Sequence, residues 1–530
     1  MIWIKKASGV YFSCFWLLVL SPCLTSCSLD EEPGKSQFVS LPYESIEELE
    51  LAVNGLYRQM HENFRLNLGY AHAWSADDLT NGGCGCKATF REYDRREVYP
   101  GNSAISWNWR LCYRAIRSAN NVLRNAASSD LGDEIARDEL LGEVYFIRGF
   151  LYHHLTRKHG RIPLVLDLEL DREIGLADQL EVYEQIEKDL LAAESLLPMS
   201  SETGATRPNA GSARAFLARL YLDWAGFPLK DQTKYAEAAA SAKQVIDNAA
   251  SHGFALVEDM ASLYSIAGRS NTESVYALSY CESCEFGNRK YGKLGMPGDF
   301  AGWQESFAEI RFFEDFPEGH RKEATFHTEV PVDSNRRVVS DVANAVEFIP
   351  WTEFRGDQQP LYRKLVGPFE EGSYDEFNIS RPDYVMRYAE VLLIYAEASA
   401  RAGIASPDAW EALNRVRRRA EGLPPTLADP DVDLSSGDLA ELAYTERKWE
   451  LAGEFLRWFD LVRMERVKEA LGGTARNPRV SIGSRINDDG SLSPLPITEP
   501  RVIISGSLET DNYFEPIPPE EIEQLMNLGG

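Results

Sequence analysis

The sequence predicts a mainly α-helical fold, and residues 381–463 show this most clearly. Apolar side chains recur there at intervals of three or four residues, which is the period of a helix with one buried face. Gly403, Gly422 and Pro424 punctuate the pattern, and helices are expected to end there because these residues do not continue a helix. Consecutive amphipathic segments with such short joints are typical of antiparallel helix pairs.

Three helices are predicted in this part of the chain. The first starts at Pro382 and Asp383, since proline is tolerated in a first turn and an early carboxylate favours the positive helix end. The second starts at Pro407. The third runs without interruption from Asp438 to Arg463. Its apolar stripe consists of Leu451, Phe455, Trp458 and Val462.

Four segments of these helices form a recognisable signature: residues 387–398, 413–417, 446–451 and 457–461. In sequence, order and spacing they resemble the C-terminal signature of the SusD/RagB family of bacterial outer-membrane nutrient-binding lipoproteins. The resemblance implies a SusD-like fold, in which tetratricopeptide-like helix pairs support an irregular, loop-rich part that binds the ligand.

The resemblance extends over most of the chain, and we predict a single SusD-like domain over residues 43–530. Leu49, Val53 and Leu56 begin its first apolar helix stripe. Residues 273–280 alternate between apolar and polar side chains, as a β-strand does. The domain's parts are an N-terminal helical half, a loop-rich region, and the signature helices with a tail, at residues 43–253, 254–380 and 381–530.

The N-terminal residues 1–26 are interpreted as a lipoprotein signal peptide that is removed. Their apolar run, residues 10–20, is short for a membrane span, although an uncleaved signal anchor is the alternative. The motif Leu24-Thr-Ser-Cys27 resembles a lipobox, in which the cysteine receives the lipid. We predict lipid attachment at Cys27 and a linker over residues 27–42. The acidic residues that follow, 28–32, resemble a surface-export signal, so the expected location is the cell-surface side of the outer membrane.

Composition argues against a nucleic-acid partner. The chain has 55 Lys and Arg residues against 82 Asp and Glu residues, a formal net charge of −27. Nucleic-acid binding depends on Lys and Arg residues that displace counterions. A chain with this large an excess of acidic residues is therefore not expected to bind nucleic acid. Aromatic residues make up 11% of the chain, with 11 Trp. Trp and Tyr offer flat apolar faces with a polar handle, which suits stacking on sugar rings.

The cysteines outside the signal leave two interpretations open. Cys84 and Cys86 form one close pair, and Cys281 and Cys284 form another. An exported protein can hold them as disulfides, within or between the pairs, or as a four-thiolate zinc site. Disulfides are favoured because one spacing is shorter than zinc sites use. Cys112 is predicted to be an inert buried thiol.

No catalytic motif stands out. Residues 61–65 read His-Glu-Asn-Phe-Arg and lack the second histidine of a zinc-protease helix. Residues 429–433 imitate the start of a calcium loop, but Leu434 replaces its turn glycine. Five glutamates of the signature helices have arginines nearby, and ion pairing keeps a carboxylate ionised, so we interpret them as structural. They are Glu390, Glu397, Glu446, Glu450 and Glu454. We predict no enzyme activity, no cofactor and no metal site.

Ligand binding is instead predicted where aromatic rings stand beside short polar side chains in irregular segments. Rings stack on sugar faces while carboxylate, amide and guanidinium groups bond the hydroxyls. The alternative for each ring is that it packs beneath its own loop. The candidate residues are Trp74, Asp77, Asp78, Asn81, Asn288, Arg289, Tyr291 and Trp303.

The resemblance implies a cell-surface lipoprotein that captures a glycan. It would pass the glycan to a SusC-like TonB-dependent transporter in the outer membrane. A peptide or glycopeptide ligand is the first alternative. A secreted hydrolase on a helical scaffold, and a scaffold for protein interactions, are the others.

Overall fold

Amphipathic helices dominate the chain, and the predicted mainly α fold is confirmed. The computed structural model describes residues 42–82, 85–167, 174–473, 484–486, 492–494 and 504–521. The predictions for the signal peptide, for Cys27 and for Cys84 lie outside these residues. The α-helices are α1 Ile46–Phe64, α2 Ala88–Arg95, α3 Ser103–Ala127, α4 Glu134–His159, α5 Gln179–Leu196, α6 Ala210–Trp224, α7 Lys234–Asp247, α8 Ala249–His252, α9 Ile310–Asp315, α10 His320–Thr325, α11 Arg363–Val366, α12 Tyr388–Arg401, α13 Pro407–Ala420, α14 Leu439–Glu450, α15 Arg457–Arg463 and α16 Val467–Leu471.

The long helices pack in pairs around one large apolar core. Helix α1 lies against α3, α4 against α5, α6 against α7, and α12 contacts α7, α13 and α14. The stripe predicted for α1 is confirmed, since Leu49, Val53 and Leu56 are fully buried. Every residue of α6 except Arg214 is buried. A helix that is covered on all sides lies at the centre of a core rather than at its edge.

Short antiparallel strand pairs cross the loop-rich region. The strands are β1 Leu79–Thr80, β2 Ser274–Leu278, β3 Phe307–Ala308, β4 Phe326–His327, β5 Glu329–Val332, β6 Glu347–Pro350, β7 Leu361–Tyr362, β8 Asp383–Arg387, β9 Ser484–Ile486 and β10 Leu492–Pro494. They pair as β1 with β3, β2 with β8, β4 with β7, β5 with β6, and β9 with β10. The strand predicted at residues 273–280 is thus confirmed as β2.

The start predicted for the first signature helix is wrong. Residues from Asp383 to Arg387 form strand β8, and the helix begins only at Tyr388. The register of β8 places Leu278 of β2 opposite Asp383. Main-chain bonds to a strand far away in the sequence therefore outweigh the local helix signal at Pro382.

The third signature helix is not continuous either. It breaks between α14 and α15, where Gly453 and Phe455 take positive φ angles of 73° and 63°. A side chain on Gly453 would lie 2.8 Å from the ring of Tyr362, so glycine is needed for this close approach as well as for its φ angle. The break turns the Phe455 ring onto that of Tyr70, at a centroid distance of 5.0 Å.

A buried cluster of ion pairs joins β2, β8, α13 and α14, and we call it the Arg387 cluster. It consists of Glu273, Arg387, Arg419, Glu450 and Glu454. Arg387 Nη1 lies 3.0 Å from Glu450 Oε1, and Arg419 Nη2 lies 2.7 Å from the same oxygen. Burial by itself raises the pKa of Glu450, but the Arg419 and Arg387 guanidiniums overcome this effect and hold it at about 2.

All five glutamates interpreted as structural are ion-paired, so that interpretation is confirmed. Glu397 pairs with the nearby Arg401 of its own helix at 2.9 Å, but the other four glutamates pair with arginines different from those nearby in the sequence. Most come from other elements, because these helices pack face to face and bring distant arginines to each carboxylate. The pairs are Glu390 with Arg219, Glu397 with Arg463, Glu446 with Arg321, Glu450 with Arg387 and Arg419, and Glu454 with Arg387 and Lys364.

We expect Glu450→Gln to destabilise the protein strongly. The change removes one carboxylate from between two buried guanidiniums, and breaking such a pair costs about 3–5 kcal/mol. Glu62→Gln is the matched control, since the Glu62–Arg114 pair is exposed and contributes less than about 1 kcal/mol. Urea unfolding at pH 7 measures both free energies. Equal losses for the two variants would contradict the importance of the Arg387 cluster.

Candidate functional site

Trp303 presents an exposed ring on a tight turn. The residue is 53% exposed. Ala301 and Gln304, at the two ends of this turn, are not glycines but have positive φ angles of 61° and 56°. Gly302 between them is required, because a side chain there would lie 2.0 Å from the Met296 carbonyl oxygen. Strained backbone of this kind is retained where it holds a side chain in a needed position.

Neighbouring side chains fix the orientation of the Trp303 ring. The Phe377 ring meets it edge to face, with 5.0 Å between centroids. Lys87 Nζ lies 5.1 Å from the ring centroid and is itself paired with Glu305 at 2.6 Å. A cation over the ring adds a modest attraction, and the aromatic contact adds another. Trp303 is therefore a supported platform rather than a loose surface side chain.

Hydrogen-bonding groups continue from this ring across the surface. Asn378 follows Phe377 and accepts a bond from Arg65 Nη2 at 3.2 Å. The Arg65 carbonyl in turn accepts the Arg289 amide at 2.9 Å, and the Arg289 side chain is exposed. We call this set the Trp303 surface: Arg65, Lys87, Arg289, Trp303, Phe377 and Asn378. It combines a flat apolar face with exposed amide and guanidinium groups.

Trp74 and Asn81 do not belong to this surface. Trp74 is fully buried; its Nε1 donates to the Glu305 carbonyl at 2.9 Å, and its ring packs on Phe90. Asn81 is also buried, and its Nδ2 lies 3.4 Å from Asp94 Oδ2. The interpretation of Trp74 as a stacking platform therefore needs correction, because the ring has no exposed face and serves the core.

Tyr291 and Asn288 are structural as well. Tyr291 is buried and donates to Asp383 Oδ1 at 3.1 Å, and burial together with the Asp383 charge raises its pKa well above the usual value. The amide of Asn288 donates to the Ile379 carbonyl at 2.8 Å. These bonds tie two loop segments together. Only Arg289 of this predicted group reaches the surface.

The two adjacent aspartates have different environments. Asp77 accepts from Arg457 Nε at 2.8 Å and lies at the edge of a separate cleft. Asp78 is buried, and its Oδ2 accepts the Gly453 amide at 3.0 Å. Burial and the neighbouring Asp77 charge raise the pKa of Asp78 to about 7. Asp78 thus acts within the protein and does not face a ligand.

The sequence did not indicate four members of the Trp303 surface. Phe377 and Asn378 stand together in an irregular segment, and the same rule of a ring beside a short polar side chain would have found them. Lys87 and Arg65 carry no such local signal. They reach Trp303 and Asn378 from segments more than 200 positions earlier in the chain.

Three of the four cysteines in the described residues are oxidised. Cys281 and Cys284 form a disulfide, which confirms one of the predicted pairings and excludes zinc thiolates at this pair. Cys86 is also disulfide-bonded. Cys112 is buried, and burial raises the pKa of its thiol to about 12, so the prediction of an inert thiol is confirmed.

Neither a metal site nor a membrane-spanning helix is found in the described part of the chain. No three His, Cys, Asp or Glu side chains there are grouped as a metal ion would require. Among the same residues, every helix is too short or too polar to cross a bilayer.

Comparison with known proteins gives two family-model matches, both to SusD-type models. Residues 351–529 match the SusD family, and residues 29–222 match the family described as "Starch-binding associating with outer membrane". A SusD-like protein from Formosa agariphila is 27% identical over 524 residues, which cover 93% of this chain and 98% of that protein.

Solved structures share the fold. A SusD superfamily protein from Parabacteroides distasonis superposes with a TM-score of 0.72 at 23% identity, covering 91% of this chain and 98% of that one. A laminarin-binding SusD-like protein gives a TM-score of 0.66 at 23% identity, covering 91% and 98%. The helical scaffold is therefore SusD-like, as the signature helices predicted. The two family-model matches, over residues 29–222 and 351–529, make the sequence similar to SusD-type proteins in both halves.

We expect Asp78→Asn to change how stability depends on pH. Because the pKa of Asp78 is about 7 in the folded state and about 3.8 when unfolded, the folded protein binds the extra proton between these values. The contribution of Asp78 to the free energy of unfolding therefore falls as pH rises from about 4 to 7. Asparagine removes this contribution, worth up to about 4 kcal/mol for a pKa raised from 3.8 to about 7.

Urea unfolding at pH 5 and pH 8 measures this effect. Asp78→Asn should gain stability relative to the wild type at pH 8 compared with pH 5. Asp77→Asn is the control. Burial raises the pKa of Asp77, but the Arg457 guanidinium outweighs burial and lowers this pKa below its usual value. The Asp77→Asn variant should therefore lose stability at both pH values. An unchanged pH slope for Asp78→Asn would count against the raised pKa.

Proposed function

We propose that this protein is a cell-surface lipoprotein that binds a glycan and passes it to a SusC-like TonB-dependent transporter in the outer membrane. The observation that carries the proposal is the Trp303 surface, where a supported, half-exposed indole stands beside exposed hydrogen-bonding side chains. Sugar rings stack on such faces through their apolar C–H groups, and amide and guanidinium groups bond their hydroxyls.

The family matches support both the ligand class and the location. One matched family is described as starch-binding and associating with the outer membrane, and a structural relative is named for laminarin binding. Lipid attachment at Cys27 would hold the protein at the membrane surface without a spanning helix. The transporter partner and the transfer step come from the family resemblance.

Binding without catalysis fits the state of the carboxylates. A glycosidase needs a carboxyl group that can donate a proton and a second carboxylate that faces the same sugar. The five glutamates of the signature helices are all ion-paired within the scaffold. Buried arginines keep Glu450 and Glu454 ionised against the effect of burial, so neither suits proton donation. We therefore propose that the captured glycan leaves unchanged.

We expect Trp303→Ala to weaken glycan binding. Loss of the stacking face should cost about 1–2 kcal/mol, or roughly 5–30-fold in the dissociation constant. Tyr99→Ala is the matched control, because Tyr99 is 54% exposed and lies outside the Trp303 surface. Calorimetry or affinity electrophoresis of residues 28–530 against neutral polysaccharides, acidic polysaccharides and peptides measures the affinities.

Product analysis of the same samples separates the alternatives. An intact glycan that is retained by the wild type and by Tyr99→Ala, but lost by Trp303→Ala, supports the proposal. Shortened glycan would indicate a hydrolase. Retention of a peptide with no glycan binding would replace the glycan by the peptide alternative.

A further inference from the structure

A second cleft, separate from the Trp303 surface, lies where α14 and α15 face α9. Its volume is about 330 Å³, which is within the range of small-molecule sites. None of its lining residues belongs to the Trp303 surface. Those that carry the inference are Asp77, Arg311, Asp315, Thr445, Lys448 and Trp449. We call it the Trp449 cleft.

An aromatic wall forms one side of the Trp449 cleft. Trp449 is only partly buried and lines the cleft. Its ring rests on Phe312 and Phe316, each at a centroid distance of 5.2 Å. Tyr444 also lines the cleft and is more buried than Trp449. The indole is therefore held rigidly with part of its surface open to the cleft.

Lys448 supplies hydrogen-bond donors at this wall. Its Nζ lies 4.1 Å from the centroid of the Trp449 ring, and its nearest carboxylate oxygen, on Asp77, is 3.9 Å away. This is too far for a hydrogen bond, and Lys448 makes none to another described residue. Its side chain is 22% exposed and lines the cleft, so the ammonium can be reached by a bound molecule. An acceptor on a bound molecule would satisfy the ammonium.

The buried lysines elsewhere show the contrast. Lys364 Nζ lies 2.6 Å from Glu454 Oε1, and Lys290 Nζ lies 2.9 Å from Asp383 Oδ2. The scaffold thus gives its structural lysines a direct carboxylate partner. Asp77, which would be the partner of Lys448, instead bonds to Arg457 at 2.8 Å. Arg457 therefore holds Asp77 at a distance that leaves the Lys448 donors available.

The charges around the cleft indicate what kind of molecule it accepts. Its four basic side chains are matched by four acidic ones, so the lining carries no formal net charge. A charged ligand would find no excess of the opposite sign. Thr445, Arg311 and Asp315 are exposed at the cleft and offer both donors and acceptors. This combination suits a neutral molecule with a flat apolar face and many hydroxyl groups.

We propose that the Trp449 cleft is a second binding site, which holds a short neutral saccharide unit independently of the Trp303 surface. The sugar stacks on Trp449, and one of its hydroxyl oxygens accepts a bond from Lys448 Nζ. This inference rests on the proposed glycan-binding function and extends it from one site to two.

Fluorine NMR of protein labelled with 5-fluorotryptophan tests the two sites separately. Trp449→Phe and Trp303→Phe assign the two resonances, and the buried Trp74 resonance serves as an internal control. The probes are glucose, maltohexaose and laminarihexaose, with a galacturonic acid hexamer as the acidic counterpart. We expect a saturable shift of the Trp449 resonance with a neutral probe, in the wild type and equally in Trp303→Ala.

Lys448→Met tests the ammonium, since methionine retains the apolar stem of the side chain. Loss of a charge-assisted hydrogen bond should weaken the Trp449 response about tenfold while the Trp303 response stays unchanged. If only the Trp303 resonance shifts, the second site is refuted and the proposed function stands. If neither resonance shifts with any saccharide, both are refuted. A Trp449 response confined to the acidic probe would overturn the neutral ligand class.

Discussion

The buried ion pairs of the Arg387 cluster set the arrangement of the other elements. Arg387 ends strand β8 immediately before α12, and it meets Glu273 beside β2 and Glu450 at the end of α14. Arg419 adds α13 to the same cluster. Each charge has been removed from water and is stable only beside its partners, so a shifted strand or helix would leave a charge unpaired. Apolar residues could fill such a space with equal stability, but they would not impose this single arrangement.

This constraint reaches the Trp303 surface through the loop segments that continue from β2 and lead into β8. Asn288 and Ile379 form a bridge between the two segments, and the Lys293 amide donates to the Glu376 carbonyl. Phe377 is thereby brought to the Trp303 ring. Side chains that bind a ligand on loops need this kind of support, because ordering a free loop would reduce the affinity. The charges that resemble catalytic groups in the sequence thus serve to position rings.

Sequence periodicity identified the helices because a helix and its buried face are local properties. It failed at Asp383 and at Gly453, where the deciding partners are distant: Arg387 contacts Glu273, 114 positions earlier. The candidate site shows the same limit. Trp303 and Arg289 are exposed, as a loop site requires. Asp77, however, is ion-paired with Arg457, 380 positions later, and Trp74 is buried in the core. A ring beside an aspartate in the sequence does not show which of them faces solvent.

Two modest sites suit the capture of a polymer better than one tight site. Under both proposals, a glycan chain held at the Trp449 cleft would present its next units to the Trp303 surface at a high effective concentration, provided that the chain can span the distance between them. The combined affinity then exceeds that of either site, although each contact is weak enough to open. The proposed release to a transporter would then be faster, since opening one weak contact at a time has a lower kinetic barrier than breaking one strong site.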